Sequence, residues 1–148
     1  MRRSNWTIFR GALWVAVLVV LSLPTKPLLA DTTLDSGTTT VSTGTNFGTN
    51  LYVADTGTAT LVIAGGLATD TNGWIGNSAG SVGTATVSGG TWANSGYLRV
   101  GNSGTGTLNV TGGRVTSTDG YLGYESGGNG TATVSSGTWA NSGNLQFG

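Results

Sequence analysis

Hydrophobic and polar residues alternate along this chain in short runs that glycine, serine and asparagine separate. The segment GTATVSGGTWANSG, which begins at Gly83, shows the pattern: Thr and Val alternate, a Gly pair follows, and a second short run begins. A period of two puts successive side chains on opposite faces of an extended strand. Thr and Val favour strands, whereas Gly and Asn favour turns. The pattern therefore predicts an all-β chain of short strands.

This alternation belongs to an internal repeat. GTATVSSGTWANSG begins at Gly130 and closely matches the segment that begins at Gly83. A central aliphatic residue recurs with a period of about 22–24 residues: Val41, Ile63, Val87, Val110 and Val134. A second hydrophobic residue follows it in each unit: Val53, Ile75, Val100, Leu122 and Phe147. The sequence thus predicts five such units with three short strands each, and two units form a 47-residue super-repeat.

The order in which equivalent residues recur decides between two arrangements of the strands. Asn72-Gly73 and Asn129-Gly130 are dipeptides that favour antiparallel hairpins. Equivalent residues nevertheless recur one unit apart in the same direction, and they stack on one another only if successive strands are parallel. We therefore predict a right-handed parallel β-solenoid (β-helix) of about five coils, each of about 22–24 residues. Each coil would rise about 4.8 Å on the last.

The residues predicted to point inward vary in size from coil to coil. In the third coil they are Ala85, Trp92 and Leu98. In the fourth coil they are Leu108, Val115 and Gly120. A large residue thus appears where the opposite wall is small, as close packing of one core requires. We expect Trp92 and Trp139 to lie in this core and Phe47 to take the tryptophan position in the first coil.

The first thirty residues differ from the rest of the chain. Three Arg lie within residues 1–10, a largely apolar run follows over residues 11–23, and a short segment ends at Ala30. This order is typical of a secretory signal peptide, and the run is shorter than the ~20 residues that span a bilayer. We predict a signal peptide over residues 1–30, a short lead-in over 31–36 and the solenoid over 37–148. The mature chain would be exported to the extracellular space or to the bacterial cell surface or outer membrane, without a transmembrane segment.

Composition narrows the chemistry that the chain can perform. It contains no Cys and no His, which excludes disulfides, thiolate or imidazole metal ligands and Ser–His–Asp catalysis. Six acidic residues and two Arg follow Ala30, a net charge of −4. This balance argues against a nucleic-acid partner, which a basic surface would attract. We expect no cofactor and no metal ion.

The repeats resemble those of a known group of exported proteins. GTATVSGGTWANSGYLRVGNSGTGTLNVTGG is similar to the repeats of autotransporter (type V secretion) passengers and of PEP-CTERM-associated exported proteins. The resemblance covers roughly residues 37–148. It implies a β-helical stalk or passenger that is secreted or held on a bacterial surface, and it supplies no catalytic residues.

One outward column of the predicted third strands is rich in aromatic residues. It contains Tyr52, Trp74, Arg99 and Tyr121, followed by Gln146. Aromatic and Arg side chains are enriched where proteins bind partners, so this column is a candidate strip for a surface glycan or another protein chain. The alternative is a cross-strand ladder that only stabilises the sheet. We expect the Trp74 side chain to face solvent.

A second outward array consists of threonines on the predicted first strands. Its members are Thr38, Thr40, Thr84, Thr86, Thr131 and Thr133. The units between them carry Thr60, Val62, Thr107 and Asn109. A flat lattice of stacked Thr resembles the faces of ice-binding solenoids, which makes the array a candidate ice-binding face. The alternative is that Thr is simply favourable on an exposed strand.

Carboxylate pairs are the remaining route to catalysis, as in β-helical polysaccharide hydrolases. Asp70 and Asp119 fall two units apart at corners that other units fill with Asn, Ser or Thr, and Asp55 shares a corner column with Asn77 and Asn102. Such residues usually cap turns, so we expect them to be structural and the chain not to be an enzyme. The regular Asp array of calcium-binding Gly-rich repeats is also missing from the sequence.

The last predicted coil stops after Phe147, partway through a unit and without a polar cap. An uncovered coil leaves unpaired backbone groups at its edge, so we expect end-to-end self-association. These features predict an exported surface module, a structural stalk or an adhesin-like binder, without catalysis. An ice-binding or glycan-binding solenoid is the alternative, and a polysaccharide-degrading enzyme is a more distant one.

Overall fold

The computed structural model describes residues 30–148, and every regular element among them is a β-strand. The predicted signal peptide therefore falls outside the described residues, apart from Ala30. The strands are β1 (Thr32–Val41), β2 (Thr45–Asn46), β3 (Asn50–Ile63), β4 (Leu67–Asp70), β5 (Asn72–Ile75), β6 (Val82–Val87), β7 (Thr91–Asn94), β8 (Tyr97–Val100), β9 (Thr105–Val110), β10 (Arg114–Ser117), β11 (Asp119–Leu122), β12 (Asn129–Val134), β13 (Thr138–Asn141) and β14 (Leu145–Phe147).

Every pairing between these strands is parallel, and each joins strands one repeat unit apart. The pairings build a nine-stranded sheet, in the order β12-β9-β6-β3-β5-β8-β11-β14 with β1 on β3, and a five-stranded sheet, β13-β10-β7-β4-β2. The two sheets enclose one hydrophobic core. The predicted parallel β-solenoid of about five coils is thus confirmed. Asn72-Gly73 and Asn129-Gly130 lie inside β5 and β12 and form no hairpin.

The first two coils depart from the predicted pattern of three separate strands. β3 is one 14-residue strand that serves as the third strand of the first coil and continues as the first strand of the second. β1 has the same form and begins at Thr32, so most of the predicted lead-in is already paired with β3. A register shift between Leu34 and Ser36 lets β1 turn its corner with a single residue, Asp35.

Asp35 explains how so short a corner is tolerated. Its carboxylate accepts hydrogen bonds from the Thr56 hydroxyl at 2.6 Å and from the backbone N–H groups of Thr56 and Gly57, both at 2.8 Å. At the next corner, comparable N–H groups bond to carbonyls of the preceding coil, as Asn77 does to Ala54. The Asp35 carboxylate therefore supplies the hydrogen-bond acceptors that backbone carbonyls supply at the next corner. The bond from the Thr56 hydroxyl, followed by those from the two N–H groups, lowers the pKa of Asp35 to about 2.

The predicted inward columns form the core. The central aliphatic residues of the first four coils are buried: Val41, Ile63, Val87 and Val110. Trp92 is completely buried, as predicted, whereas Trp139 is half-buried and Val134 is 48% exposed. The last coil differs because, within residues 30–148, it has a neighbouring coil on one side only.

Coils of two kinds pack together because a glycine lies beside each core tryptophan. A Cβ atom on Gly73 would lie 3.0 Å from Trp92 Cζ2 and 2.9 Å from Leu98 Cδ1. A Cβ atom on Gly120 would lie 2.8 Å from Trp139 Cζ2. These distances are well below carbon–carbon contact. The large side chains of one coil thus fill space that the preceding coil leaves free, which accounts for the 47-residue super-repeat.

Phe47 enters the core at a position other than the predicted one. It is 6% exposed. Because Thr45 pairs with Ala68, however, Phe47 lies at the level of Asp70, two residues beyond the tryptophan column. The expectation that Phe47 replaces the tryptophan was correct about burial and wrong about register.

Candidate functional site

The aromatic column of the third strands is continuous in the structure. Tyr52 pairs with Trp74, Trp74 pairs with Arg99, and Tyr121 pairs with both Arg99 and Gln146. The structure thus brings the four predicted residues together on one outward face. Two further tyrosines join them, and we refer to the following set as the aromatic strip: Tyr52, Trp74, Tyr97, Arg99, Tyr121 and Tyr124.

Sequence reasoning missed Tyr97 and Tyr124 because it followed only alternate positions within the strands. Tyr97 is the first residue of β8, at the corner where the third strand begins. Tyr124 follows β11, and its N–H bonds to Gly101 as the N–H of Asn102 does to Gly76. Tyr124 therefore replaces the asparagine of the preceding corners. An alignment of the corners would have found it.

Trp74 lies beneath its neighbours rather than open to solvent. Tyr52 stacks on it with ring centroids 4.7 Å apart and ring planes at 19°. Tyr97 packs perpendicular to it at 5.0 Å. As a result Trp74 is only 7% exposed. The expectation that this side chain faces solvent is wrong, because a side chain on an outward column can still be covered by the columns beside it.

Arg99 occupies the centre of the tyrosine half of the strip. The guanidinium carbon lies 3.6 Å from the ring centroid of Tyr124, 4.6 Å from that of Tyr97 and 5.6 Å from that of Tyr121. These distances are within the range of cation–π attraction. Arg99 also donates a hydrogen bond from Nη1 to Asn102 Oδ1 at 3.1 Å. Three tyrosine rings and Asn102 thus hold the Arg99 guanidinium in place.

The chemistry that the strip offers follows from this packing. Its rings pack against one another and against Arg99. Burial raises the pKa of Tyr52 and of Tyr97, and for Tyr52 the carboxylates of Asp31 and Asp55 add to this rise. Both phenols therefore stay protonated at neutral pH and can donate hydrogen bonds. The strip can bind hydroxyl groups, but Trp74 offers no open face on which a sugar ring could stack.

The structure aligns the predicted threonine array in parallel register. One outward column of the first strands is threonine in every coil: Thr38, Thr60, Thr84, Thr107 and Thr131. The column beside it contains Thr40, Val62, Thr86, Asn109 and Thr133. Neighbouring strands lie about 4.8 Å apart, and alternate residues along a strand about 6.7 Å apart. The array is thus a lattice of small side chains that repeats in two directions.

The acidic residues occupy different environments. Asp119 accepts the N–H of Asn144 at 2.7 Å, which is the predicted corner role. Asp55 accepts a hydrogen bond from Asn77 Nδ2 at 2.6 Å, and Asn102 extends this ladder by donating to Asn77. Asp70 is 6% exposed and accepts the indole N–H of Trp92 at 2.6 Å. The prediction that Asp70 caps a turn is therefore wrong, and its burial raises its pKa to about 7.

Side chains at the open side of the last coil are exposed. Phe147 is 74% exposed and Leu145 is 44% exposed, although both belong to columns that are buried in the inner coils. Within residues 30–148 no cluster of three or more His, Cys, Asp or Glu side chains is placed to hold a metal ion. In the same range no helix is long and apolar enough to cross a membrane.

Comparison with protein-family models, with characterised proteins and with solved structures finds no match to this chain. What the chain does must therefore be argued from its own geometry.

Proposed function

We propose that this chain is an exported β-solenoid module that acts as a non-catalytic structural stalk on a bacterial surface. The observation that carries the proposal is the parallel pairing of strands, which continues from coil to coil in both sheets. Neighbouring coils share one core and continuous side-chain ladders, and such stacks extend along one axis, which is the shape that a stalk requires. The basic and apolar first thirty residues support export.

In this proposal the aromatic strip acts mainly as a ladder that ties the third strands together. The buried Trp74 ring and the packing of Arg99 against Tyr97, Tyr121 and Tyr124 support this role over glycan binding. An adhesin-like function would have to rely on the tyrosine hydroxyls and on Tyr124, which is 42% exposed. A glycan array run with the wild type and with Tyr124→Ala distinguishes a stalk from an adhesin. Glycan binding that depends on Tyr124 would show that the chain acts as an adhesin.

Export can be tested with the complete chain in a Gram-negative host. The expected result is a protein outside the cytoplasm whose mass corresponds to a first residue at Asp31. A matched variant, Val17→Arg, interrupts the apolar run and should keep the protein in the cytoplasm with its first thirty residues attached. Wild-type protein that stays in the cytoplasm and is not cleaved would contradict export.

A second candidate function is the binding of ice. The observation that favours it is the column with threonine in all five coils, beside a second column that repeats Thr in alternate coils. Each Thr offers one hydroxyl and one methyl group at a fixed spacing, which can order water in two dimensions. The residues that would form this face are Thr38, Thr40, Thr84, Thr86, Thr131 and Thr133, with Thr60 and Thr107 between them.

Thermal hysteresis with purified protein tests this second function. If the threonine face binds ice, the wild type should show hysteresis and Thr84→Lys, at the centre of the face, should reduce it. Thr69→Lys places the same change on β4, in the other sheet, and should leave it unaltered. Wild-type protein without hysteresis, or equal loss in the two variants, would exclude ice binding at this face.

A further inference from the structure

We propose that the core of the solenoid contains a binding site for a single proton, which lies between the Asp70 carboxyl and the Asn94 side-chain amide. Asp70 would then be a neutral carboxylic acid in the folded chain, and its hydroxyl would donate a hydrogen bond to Asn94 Oδ1. The solenoid would in consequence be more stable in mild acid than at alkaline pH.

Only one of the two oxygen atoms of the Asp70 carboxyl has a hydrogen-bond partner. It lies at the end of β4 and is 6% exposed. Its Oδ2 accepts the indole N–H of Trp92 at 2.6 Å. Its Oδ1 is buried and has no hydrogen-bond partner. A buried carboxylate with one free oxygen is costly, whereas a carboxylic acid could use that oxygen as a donor.

Asn94 presents a matching free acceptor. It is 4% exposed and pairs directly with Asp70 in parallel register, one coil further on. Its Nδ2 donates to the carbonyl of Thr116 at 3.2 Å, in the following coil. Its Oδ1 is buried without a partner. This oxygen points back towards the second coil, because a Cβ atom on Gly73 would lie 2.6 Å from it.

One proton would satisfy both free oxygens. Two acceptors cannot bond to each other unless a hydrogen lies between them. Rotating the Asn94 amide by half a turn would not remove the conflict, since its oxygen would then face the Thr116 carbonyl. A proton on Asp70 Oδ1 leaves every other hydrogen bond in place. The geometry therefore favours the protonated acid.

Among the described residues, 30–148, no positively charged side chain lies next to Asp70 to hold it ionised. β2 leads to Phe47 at the same level, β5 contributes Gly73, and β7 contributes Trp92 and Asn94. All four are uncharged. Burial therefore raises the pKa of Asp70 to about 7, and the hydrogen bond from Trp92 only partly opposes this rise.

The fourth and fifth coils show that the tryptophan alone does not require a carboxylate. Trp139 is the counterpart of Trp92, and its indole N–H bonds to the hydroxyl of Ser117 at 3.2 Å. A neutral oxygen therefore suffices to accept the indole. The Ser117 hydroxyl also donates to Asn141 Oδ1, the counterpart of Asn94. Asp70 differs in having a second oxygen, Oδ1, that has no partner, and this oxygen is where the proton would be held.

The predicted pH dependence follows from the two states of Asp70. In the unfolded chain its pKa is close to 3.9, so between about pH 4 and pH 7 the folded chain binds more protons than the unfolded chain. The folding equilibrium constant should therefore fall as pH rises through this window, by up to about tenfold per pH unit. Above the folded pKa both states are ionised and the fall should level off.

Asp70→Asn tests this arrangement in the full-length chain. Its amide oxygen can accept the indole N–H, and its NH₂ can donate to Asn94 Oδ1 without a titrating proton. Between pH 5 and pH 8 the wild-type folding constant should drop by at least about tenfold, and the variant should be nearly flat over the same range. Asp119→Asn, at an outer corner, is the control and should keep the wild-type slope. Equal slopes in the wild type and Asp70→Asn would overturn the proposal.

A direct titration covers the case in which Asp70→Asn does not fold. The carboxyl carbon of Asp70 in folded wild-type protein can be followed by carbon-13 NMR from pH 3 to pH 9. A transition close to pH 7 supports the buried proton. A transition close to pH 4 overturns the proposal.

Discussion

At the scale of single residues, Trp74 shows how an outward position can serve stability. The ring is stacked on Tyr52 at 4.7 Å and is 7% exposed. Its neighbours in the column come from the coils before and after it. The residue therefore joins three coils through side-chain contacts that lie outside the core.

Replacing Trp74 by Ala should lower the free energy of unfolding by about 2–4 kcal/mol, because a nearly buried indole and its stacking partner are lost. Urea denaturation measures the change. Tyr124→Ala removes an aromatic residue of the same strip that is 42% exposed, and its effect should be clearly smaller. If Trp74→Ala leaves stability unchanged while it abolishes binding to a glycan, the strip is a binding site and not a ladder.

Asp35 gives a second prediction at this scale, with the opposite pH sense to Asp70. Its folded pKa is lowered to about 2 by hydrogen bonds, so the stability that it contributes is complete above the unfolded pKa and is lost as pH falls through the folded one. The difference in unfolding free energy between wild type and Asp35→Ala should therefore be largest near neutral pH and should shrink between about pH 4 and pH 2. Denaturation series at several pH values would reveal this. If this difference in unfolding free energy stays constant down to pH 2, the charge of Asp35 does not contribute to stability.

At the scale of the strands, the positions and pairing of the strands can be predicted from the sequence wherever the repeat is regular. The columns around Val87 and Val110 and the parallel register follow from period and spacing alone. The long strand β1 does not, because its one-residue corner depends on the Asp35 side chain, which bonds to the corner N–H groups of β3. The burial of Trp74 could not be read from the alternation either, since it depends on side chains in adjacent columns and coils. Asp70, by contrast, lies two residues beyond the inward Ala68, on the face that the alternation predicts to be buried.

The alternation of coil types gives a prediction about strand packing. Gly73→Ala would put a Cβ atom 2.9 Å from Leu98 Cδ1 and 2.6 Å from Asn94 Oδ1. It should destabilise the fold by about 1–3 kcal/mol through overpacking, as measured by thermal or urea denaturation. Gly44→Ala is a matched control, because its Cβ atom would meet only the Leu67 carbonyl at 3.9 Å. Equal effects of the two substitutions would contradict the proposed packing between coils.

At the scale of the whole molecule, the fifth coil presents hydrophobic side chains and a strand edge that has no partner within residues 30–148. A polypeptide of residues 31–148 should therefore self-associate in a concentration-dependent way, since such an edge pairs readily with another chain. Analytical ultracentrifugation measures this. Leu145→Asp with Phe147→Asp should suppress association, because both side chains are exposed at that edge, while Thr86→Asp on an outward face should matter less. A stable monomer at high micromolar concentration would disprove end-to-end contact.

Successive coils stack in parallel, one repeat unit apart, and pairs of introduced cysteines can test this arrangement. The natural chain has no Cys. Thr84 and Thr107 are paired in register, so their Cα atoms should lie about 4.8 Å apart, within the range for a disulfide. In the control pair, Thr84 with Asn109, the second residue is two positions further along the strand, at about 8 Å, which is too far. Thr84→Cys with Thr107→Cys should therefore form an intramolecular disulfide under mild oxidation, and Thr84→Cys with Asn109→Cys should not. Failure of the first pair, or equal yields from both pairs, would contradict the stacking of coils on which this account rests.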